Sequence, residues 1–206
     1  MTHPLLKVTD LHAGYGRAEV LHGINLEAAQ GSVVTVIGPN GAGKSTLTNL
    51  LSGDLPTTSG QITLAGRDVT GWSPERISRQ GLGRSYQKTN IFAPFTVWEN
   101  VRLAAQSRDA QQPWNPLRWL QIAGKSATAL ARATRAIELA GLESRRNVIA
   151  GASSHGEQRQ LEIAMTLATE PQAVSYTHLR AHETPEHLVC RLLLEKTKYL
   201  ITSQRR

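Results

Sequence analysis

The eight residues Gly38-Pro39-Asn40-Gly41-Ala42-Gly43-Lys44-Ser45 fit the pattern G-x-x-x-x-G-K-[ST], whose chemistry is the cradling of a nucleotide's phosphates. Glycines let successive backbone N–H groups curl around the β-phosphate without side-chain clash. A helix that starts at the loop adds the positive end of its dipole. In such a cradle Lys44 bridges the β- and γ-phosphates, and the hydroxyl of Ser45 ligates Mg²⁺. The other reading of the same residues is a solvated glycine-rich turn, and the flanking elements decide against it.

Ser32-Val33-Val34-Thr35-Val36-Ile37 is a nearly continuous β-branched run, as expected of a strand buried on both faces. After the loop, Lys44–Ser52 carries Leu47, Leu50 and Leu51 at helical spacing. Strand, loop and helix follow in the order that phosphate binding requires. Upstream, Leu6 and Val8, then Ile24 and Leu26, predict short antiparallel strands on either side of the Gly14-Tyr15-Gly16 turn. Gln61–Leu64 and Arg67–Val69 around Ala65-Gly66 predict a hairpin. Ser73 before Pro74 reads as the cap of a helix that ends near Gly81. Arg84–Gln87 predicts a further strand, Thr96 the cap of the next helix, and residues 109–120, with two prolines and two tryptophans, a loop or broken helix. Ala127–Ala140, stopped by Gly141, and Gly156–Thr169 predict two more helices.

The chain has 206 residues and 40% hydrophobic side chains, which suits one soluble α/β domain and excludes two large ones. No uncharged apolar run of about 18 residues is present, and the first 30 residues lack a signal h-region and cleavage site. One Cys excludes a disulfide framework and fits a reducing cytosol. The net charge of +7 would ordinarily raise nucleic acid or an anionic membrane surface as partner. That excess is uneven: residues 174–206 hold 6 of the 23 basic side chains against 3 of the 16 acidic ones, with the only Cys and three of the seven His. The nucleic-acid inference therefore lapses.

With the loop fixed, residues 1–173 resemble the ATP-binding subunits of ABC transporters. The resemblance implies ATP and Mg²⁺ as ligands, held by Gly38, Pro39, Asn40, Gly41, Ala42, Gly43, Lys44, Ser45 and Thr46. Tyr15, 23 residues before Gly38, stands where that family stacks an aromatic on adenine; its alternative role is a turn aromatic packed on a strand. Gln87 matches the glutamine that reaches Mg²⁺ and the attacking water and senses the transmembrane partner. It lies ahead of Thr96-Val97-Trp98-Glu99-Asn100-Val101, which is similar to the family's "TVxENV" segment. Ser153-Ser154-His155-Gly156-Glu157-Gln158-Arg159-Gln160 resembles the signature motif, so Ser154, Gly156 and Glu157 are expected to clasp the γ-phosphate held by an opposite subunit. Ser153 stands where Leu is usual, which loosens the packing beneath the motif. Ser154 and Glu157 also fit an ordinary capping box, which is compatible with the signature role.

Within the family, Gly81–Phe92, the signature and Leu161–Pro171 look like importer ATPases for branched-chain amino acids, with urea and short-chain amide importers close by. Gly14–Gly23 looks like the second ATPase of the same two-ATPase importer, so the chain is assigned to neither. The fold implied is a P-loop NTPase parallel sheet with an antiparallel β subdomain and a helical signature subdomain, incomplete at the C-terminus. The partners implied are transmembrane permease subunits and a second ATP-binding subunit, which places the protein at the cytoplasmic face of the membrane. The alternatives are a non-transport ABC ATPase, which usually carries coiled-coil insertions or tandem halves absent here, and a non-catalytic nucleotide-binding regulator.

Hydrolysis in this family needs an Asp that holds Mg²⁺ through water and an adjacent Glu that polarises the nucleophile, both at the end of a buried strand. Asp occurs at 10, 54, 68 and 109 and nowhere beyond. His178, His182, His187 and Cys190 imitate metal ligands, but residues 174–184 and 188–195 are similar to the two blocks of a translated sequencing adapter; the alternative is a frameshifted or divergent C-terminus. Residues 1–173 are thus expected to be an ATP-binding domain, and 174–206 a tail foreign to it. Loss of the native catalytic strand is expected to leave its sheet neighbours unpaired and the chain aggregation-prone and without ATPase activity.

Overall fold

The computed structural model describes residues 4–85, 90–108, 126–176 and 200–204. These fall into two units, residues 1–84 with 171–206, and residues 85–170.

In the first unit β1 (Leu6–Tyr15) and β2 (Ala18–Ala28) form an antiparallel hairpin. Leu6 and Val8, then Leu11 and Ala13, point inward and are essentially inaccessible. The inward set skips a residue at Asp10, whose φ of 47° is left-handed, and the pairing with β2 shifts between Val8 and Leu11. This bulge keeps apolar side chains on one face on both sides of the irregularity. β4 (Ser59–Leu64) pairs antiparallel with β1 on its other side. At Gly60, φ is +92° and a Cβ would stand 2.2 Å from the Asp10 carbonyl oxygen, so glycine is required where β4 meets the bulge. The Ala65-Gly66 turn, with both φ angles positive, returns the chain to β5 (Arg67–Asp68), as the hairpin prediction required. The sheet order is β2-β1-β4-β5.

The second sheet is built, in order, from β3 (Val33–Ile37), β8 (Leu200–Gln204), β7 (Ala173–Tyr176) and β6 (Leu82–Ser85). β3 pairs parallel with β8, and β8 parallel with β7. β6 starts two residues before the strand expected at Arg84–Gln87, because Gly81 caps the preceding helix α2 (Pro74–Gln80) in a left-handed conformation and the chain extends at once. Two expectations are corrected here. β3 is not buried on both faces: Val33 is 48% and Ile37 68% exposed, whereas Val34 and Val36 pack on the core. The β-branched run recorded strand propensity, not the covering of its second face. Nor is the sheet left without a strand between β3 and β6, since Ala173–Tyr176 and Leu200–Gln204 take those places. Ala173, Val174 and Ser175 are buried there.

The second unit is helical: α3 (Val97–Ser107), α4 (Ala127–Leu139) and α5 (His155–Ala168). Its core joins Val97, Val101 and Ala105 to Ala129, Ala133 and Ala136 and to Leu161, Ala164 and Ala168. Each set recurs at three- or four-residue spacing, the stripe an amphipathic helix buries. Small alanines let the helices approach closely. Asn100, fully buried, is satisfied: its Nδ2 donates to the carbonyl oxygens of Phe92 and Thr96, and its Oδ1 accepts from the Phe92 N–H. The segment expected as a loop or broken helix at 109–120 lies outside the described residues.

Candidate functional site

α1 (Lys44–Leu51) begins directly at the end of the glycine-rich loop, with Gly43 as its N-cap at φ 83°. Gly41, at φ 85°, faces open space, whereas a Cβ on Gly43 would lie 2.6 Å from Leu21 Cδ2. The two glycines thus serve different ends: one leaves room outside the loop, the other lets the helix start pack on β2. The Lys44 ammonium donates to the carbonyl oxygens of Gly38 and Pro39, 2.6 Å each, so it crosses over the loop between its two ends. Pro39 to Ala42 and Ser45 are exposed, and Gly38 is half-buried. Thr46 is buried and belongs to the packed side of α1. A cation over a largely exposed loop of backbone, with no Cβ at three of its positions, fits a polyphosphate. The exposed Ser45 hydroxyl fits a hard cation that accepts oxygen ligands.

Tyr15 ends β1, 51% exposed, and its hydroxyl accepts from Asn49 Nδ2 at 3.3 Å. Asn49 Oδ1 in turn accepts from Arg84 Nη2 at 2.6 Å. Neither Asn49 nor Arg84 was marked as functional by spacing. Arg84 stood in the right segment, but its contact lies 35 residues back along the chain, beyond any local pattern. Gln87, and the set His178, His182, His187 and Cys190, lie outside the described residues. Among the described residues no group of three or more His, Cys, Asp or Glu could hold a metal ion.

In the helical unit Ser154 is the N-cap of α5, and the capping box is complete. Ser154 Oγ accepts from the Glu157 N–H at 3.3 Å, while Glu157 Oε2 accepts from the Ser154 N–H at 2.8 Å. Arg145 Nε donates to the other carboxylate oxygen at 2.7 Å. The Ser154 backbone bond, then its hydroxyl, and then Arg145 hold the Glu157 carboxyl below the usual carboxylate range. Both Glu157 oxygens are therefore engaged within the chain, and Ser154, His155 and Gly156 are exposed. A Cβ on Gly156 would meet nothing within 4 Å. The Ser153 hydroxyl is buried and has no hydrogen-bond partner among the described residues. A similar capping box, Thr96 with Glu99, opens α3.

The geometry agrees with what the chain is similar to. Residues 21–174 match the family described as ABC transporter. The high-affinity branched-chain amino acid transport ATP-binding protein LivG of Salmonella typhimurium is 34% identical over 173 residues, covering 84% of this chain and 68% of that protein. BraF of Pseudomonas aeruginosa, of the same description, is 31% identical over 227 residues, covering 98% and 86%. The hemin import ATP-binding protein HmuV of Rhizobium meliloti is 31% identical over 163 residues, covering 79% and 56%. Among solved structures, an ATP-binding cassette of an ABC transporter in its ADP conformation superposes with a TM-score of 0.81 at 27% identity, covering 100% of this chain and 83% of that one. A nucleotide-free cassette gives 0.79 at 26%, covering 98% and 82%. No described helix is long and apolar enough to cross a membrane.

Proposed function

This chain belongs to the ABC transporter family, and from that premise we propose that it is the ATP-binding subunit of an importer for branched-chain amino acids. The observation that carries this reading is the phosphate loop at the start of α1, with Lys44 laid across Gly38 and Pro39, in a chain whose relatives LivG and BraF are branched-chain amino acid transport ATP-binding proteins. Gly38 to Ser45 hold the phosphates of ATP, Tyr15 carries its base, and Ser45 with Gln87 would hold Mg²⁺, while Thr46, packed inward, secures the start of α1. A Mg²⁺ ion held there would supply charge withdrawal from the phosphate oxygens. Ser154 and Gly156, with α5 kept in register by Glu157, meet the γ-phosphate bound by a second ATP-binding subunit. Permease subunits in the membrane receive the work of that closure, and the ATPase lies against their cytoplasmic side. The hemin-import relative at comparable identity fits a division of labour in which the permease and binding protein choose the solute.

Residues 1–173 are the working domain in this reading, and 174–206 are foreign to it in sequence, although Ala173–Tyr176 and Leu200–Gln204 pair in its second sheet. Its supports are the shift in composition at 174, the family match ending there, and the lack of any Asp beyond 109. In this reading the chain binds ATP and does not turn it over. Two experiments test these points. Residues 1–173 joined to the C-terminal part of LivG should restore leucine uptake to cells lacking their own ATPase, and failure with a folded chimera, alongside uptake of another solute, would refute the assignment. Resequencing the source DNA around codon 174 should reveal an apolar strand ending Asp-Glu.

A further inference from the structure

Tyr15 lies at a tight hairpin end where its backbone is fixed but its ring is half exposed. A Cβ on the preceding Gly14 would stand 2.0 Å from the Ala18 carbonyl oxygen, and Gly16 follows at φ +62°. Local structure therefore sets the ring's origin and leaves its direction open. The direction is set from α1. Asn49 donates through Nδ2 to the Tyr15 hydroxyl and accepts through Oδ1 from Arg84. A guanidinium has donors only, so it must face the amide oxygen, and the amide's NH₂ is thereby aimed at the tyrosine. Arg84 is held in its turn. Its Nη1 donates to the Ser52 hydroxyl and the Asp54 carboxylate, and its side chain is 13% exposed. The Asp54 and Leu55 N–H groups close on the Asn49 carbonyl oxygen at 2.9 and 3.2 Å, fixing the end of α1 on which the amide sits.

We propose that Asn49 and Arg84 are positioning residues for the nucleotide base: they hold the Tyr15 ring in its stacking direction and join it to β6. A ring already held loses less freedom when the base arrives. This rests on the reading of Tyr15 as the base-stacking residue.

The test compares the affinity of the full chain for MgATP with that for magnesium tripolyphosphate, which has the phosphates and no base. The variants are Tyr15→Phe, Asn49→Ala, their combination, Arg84→Lys and Tyr15→Ala. Tyr15→Phe and Asn49→Ala should each weaken MgATP about two- to tenfold, the worth of one hydrogen bond, with tripolyphosphate unchanged. Arg84→Lys, which keeps the charge beside Asp54 but not the fork to Asn49, should give the same selective loss. The double variant should lose no more than either single one, because both remove the same bond. An Asn49→Ala chain with wild-type MgATP affinity, an equal loss for both ligands, or additive losses in the double variant would overturn the positioning role. Tyr15→Ala leaving the ratio of the two affinities unchanged would instead overturn the base-stacking reading. A selective loss in Tyr15→Ala beside a silent Asn49→Ala removes the positioning role alone.

Discussion

The Lys44 ammonium donates to the Gly38 carbonyl oxygen across 2.6 Å, spanning the loop from its last residues to its first. A cation held there by backbone oxygens stands over the glycine-rich loop. Lys44→Ala removes the charge and leaves the glycines unchanged, so MgATP binding should fall at least a hundredfold, about 3 kcal/mol, with the unfolding midpoint nearly unmoved. Equilibrium dialysis with ATP checks the first and urea unfolding the second.

The buried, unpartnered hydroxyl of Ser153 stands at the position where the family resemblance expects Leu. A buried polar group without a partner costs about 1–3 kcal/mol. Ser153→Ala should therefore stabilise the chain by about 1 kcal/mol, seen as a higher urea midpoint with unchanged slope. A lower midpoint would show that the hydroxyl is satisfied in solution.

The cap of α5 should depend on pH. Ser154→Ala removes the hydroxyl that accepts the Glu157 N–H and should cost about 1 kcal/mol. The Ser154 backbone N–H and hydroxyl, with Arg145, hold the Glu157 carboxyl below its usual range. A carboxylate with a lowered folded pKa adds stability that is full above its unfolded pKa and is lost as pH falls through the folded one. The stability advantage of wild type over Glu157→Gln should accordingly be constant from pH 7 to 5.5 and be lost progressively as pH falls through the lowered folded pKa. Urea unfolding of the two chains across that range measures it.

His12 behaves in the opposite sense. Its Nδ1 lies 2.6 Å from Glu19 Oε1 and its Nε2 3.3 Å from Asp10 Oδ1, and chiefly the Glu19 bond raises its pKa above 6.5. Stability from this contact is full below the unfolded pKa and is lost as pH rises through the folded one. In an NMR titration His12 should titrate above 6.5, and Glu19→Gln should bring it down toward that value. An unmoved midpoint would show that the hydrogen bond does not persist in water.

The chain order of amino acids determined whatever depends on near neighbours. Gly41, Gly43 and Lys44 announced the loop because a backbone that turns around an anion needs residues free of Cβ strain at fixed offsets. Thr96 with Glu99, and Ser154 with Glu157, announced their helices because a cap spans three residues. The Ala65-Gly66 hairpin and the Gly81 stop were legible for the same reason. Tertiary structure decided what depends on distant partners. The burial of β3 turned on which elements cover its second face, which a β-branched run does not record, and Ile37 came out exposed. The strand places beside β3 and β6 went to segments whose residues carry no catalytic carboxylate, because backbone hydrogen bonding is indifferent to side-chain chemistry. The bond from Arg84 through Asn49 to Tyr15 joins three elements 34 and 35 residues apart. Nothing within any one of them encodes the others' positions, so only the folding of β1, α1 and β6 into one unit brings them together.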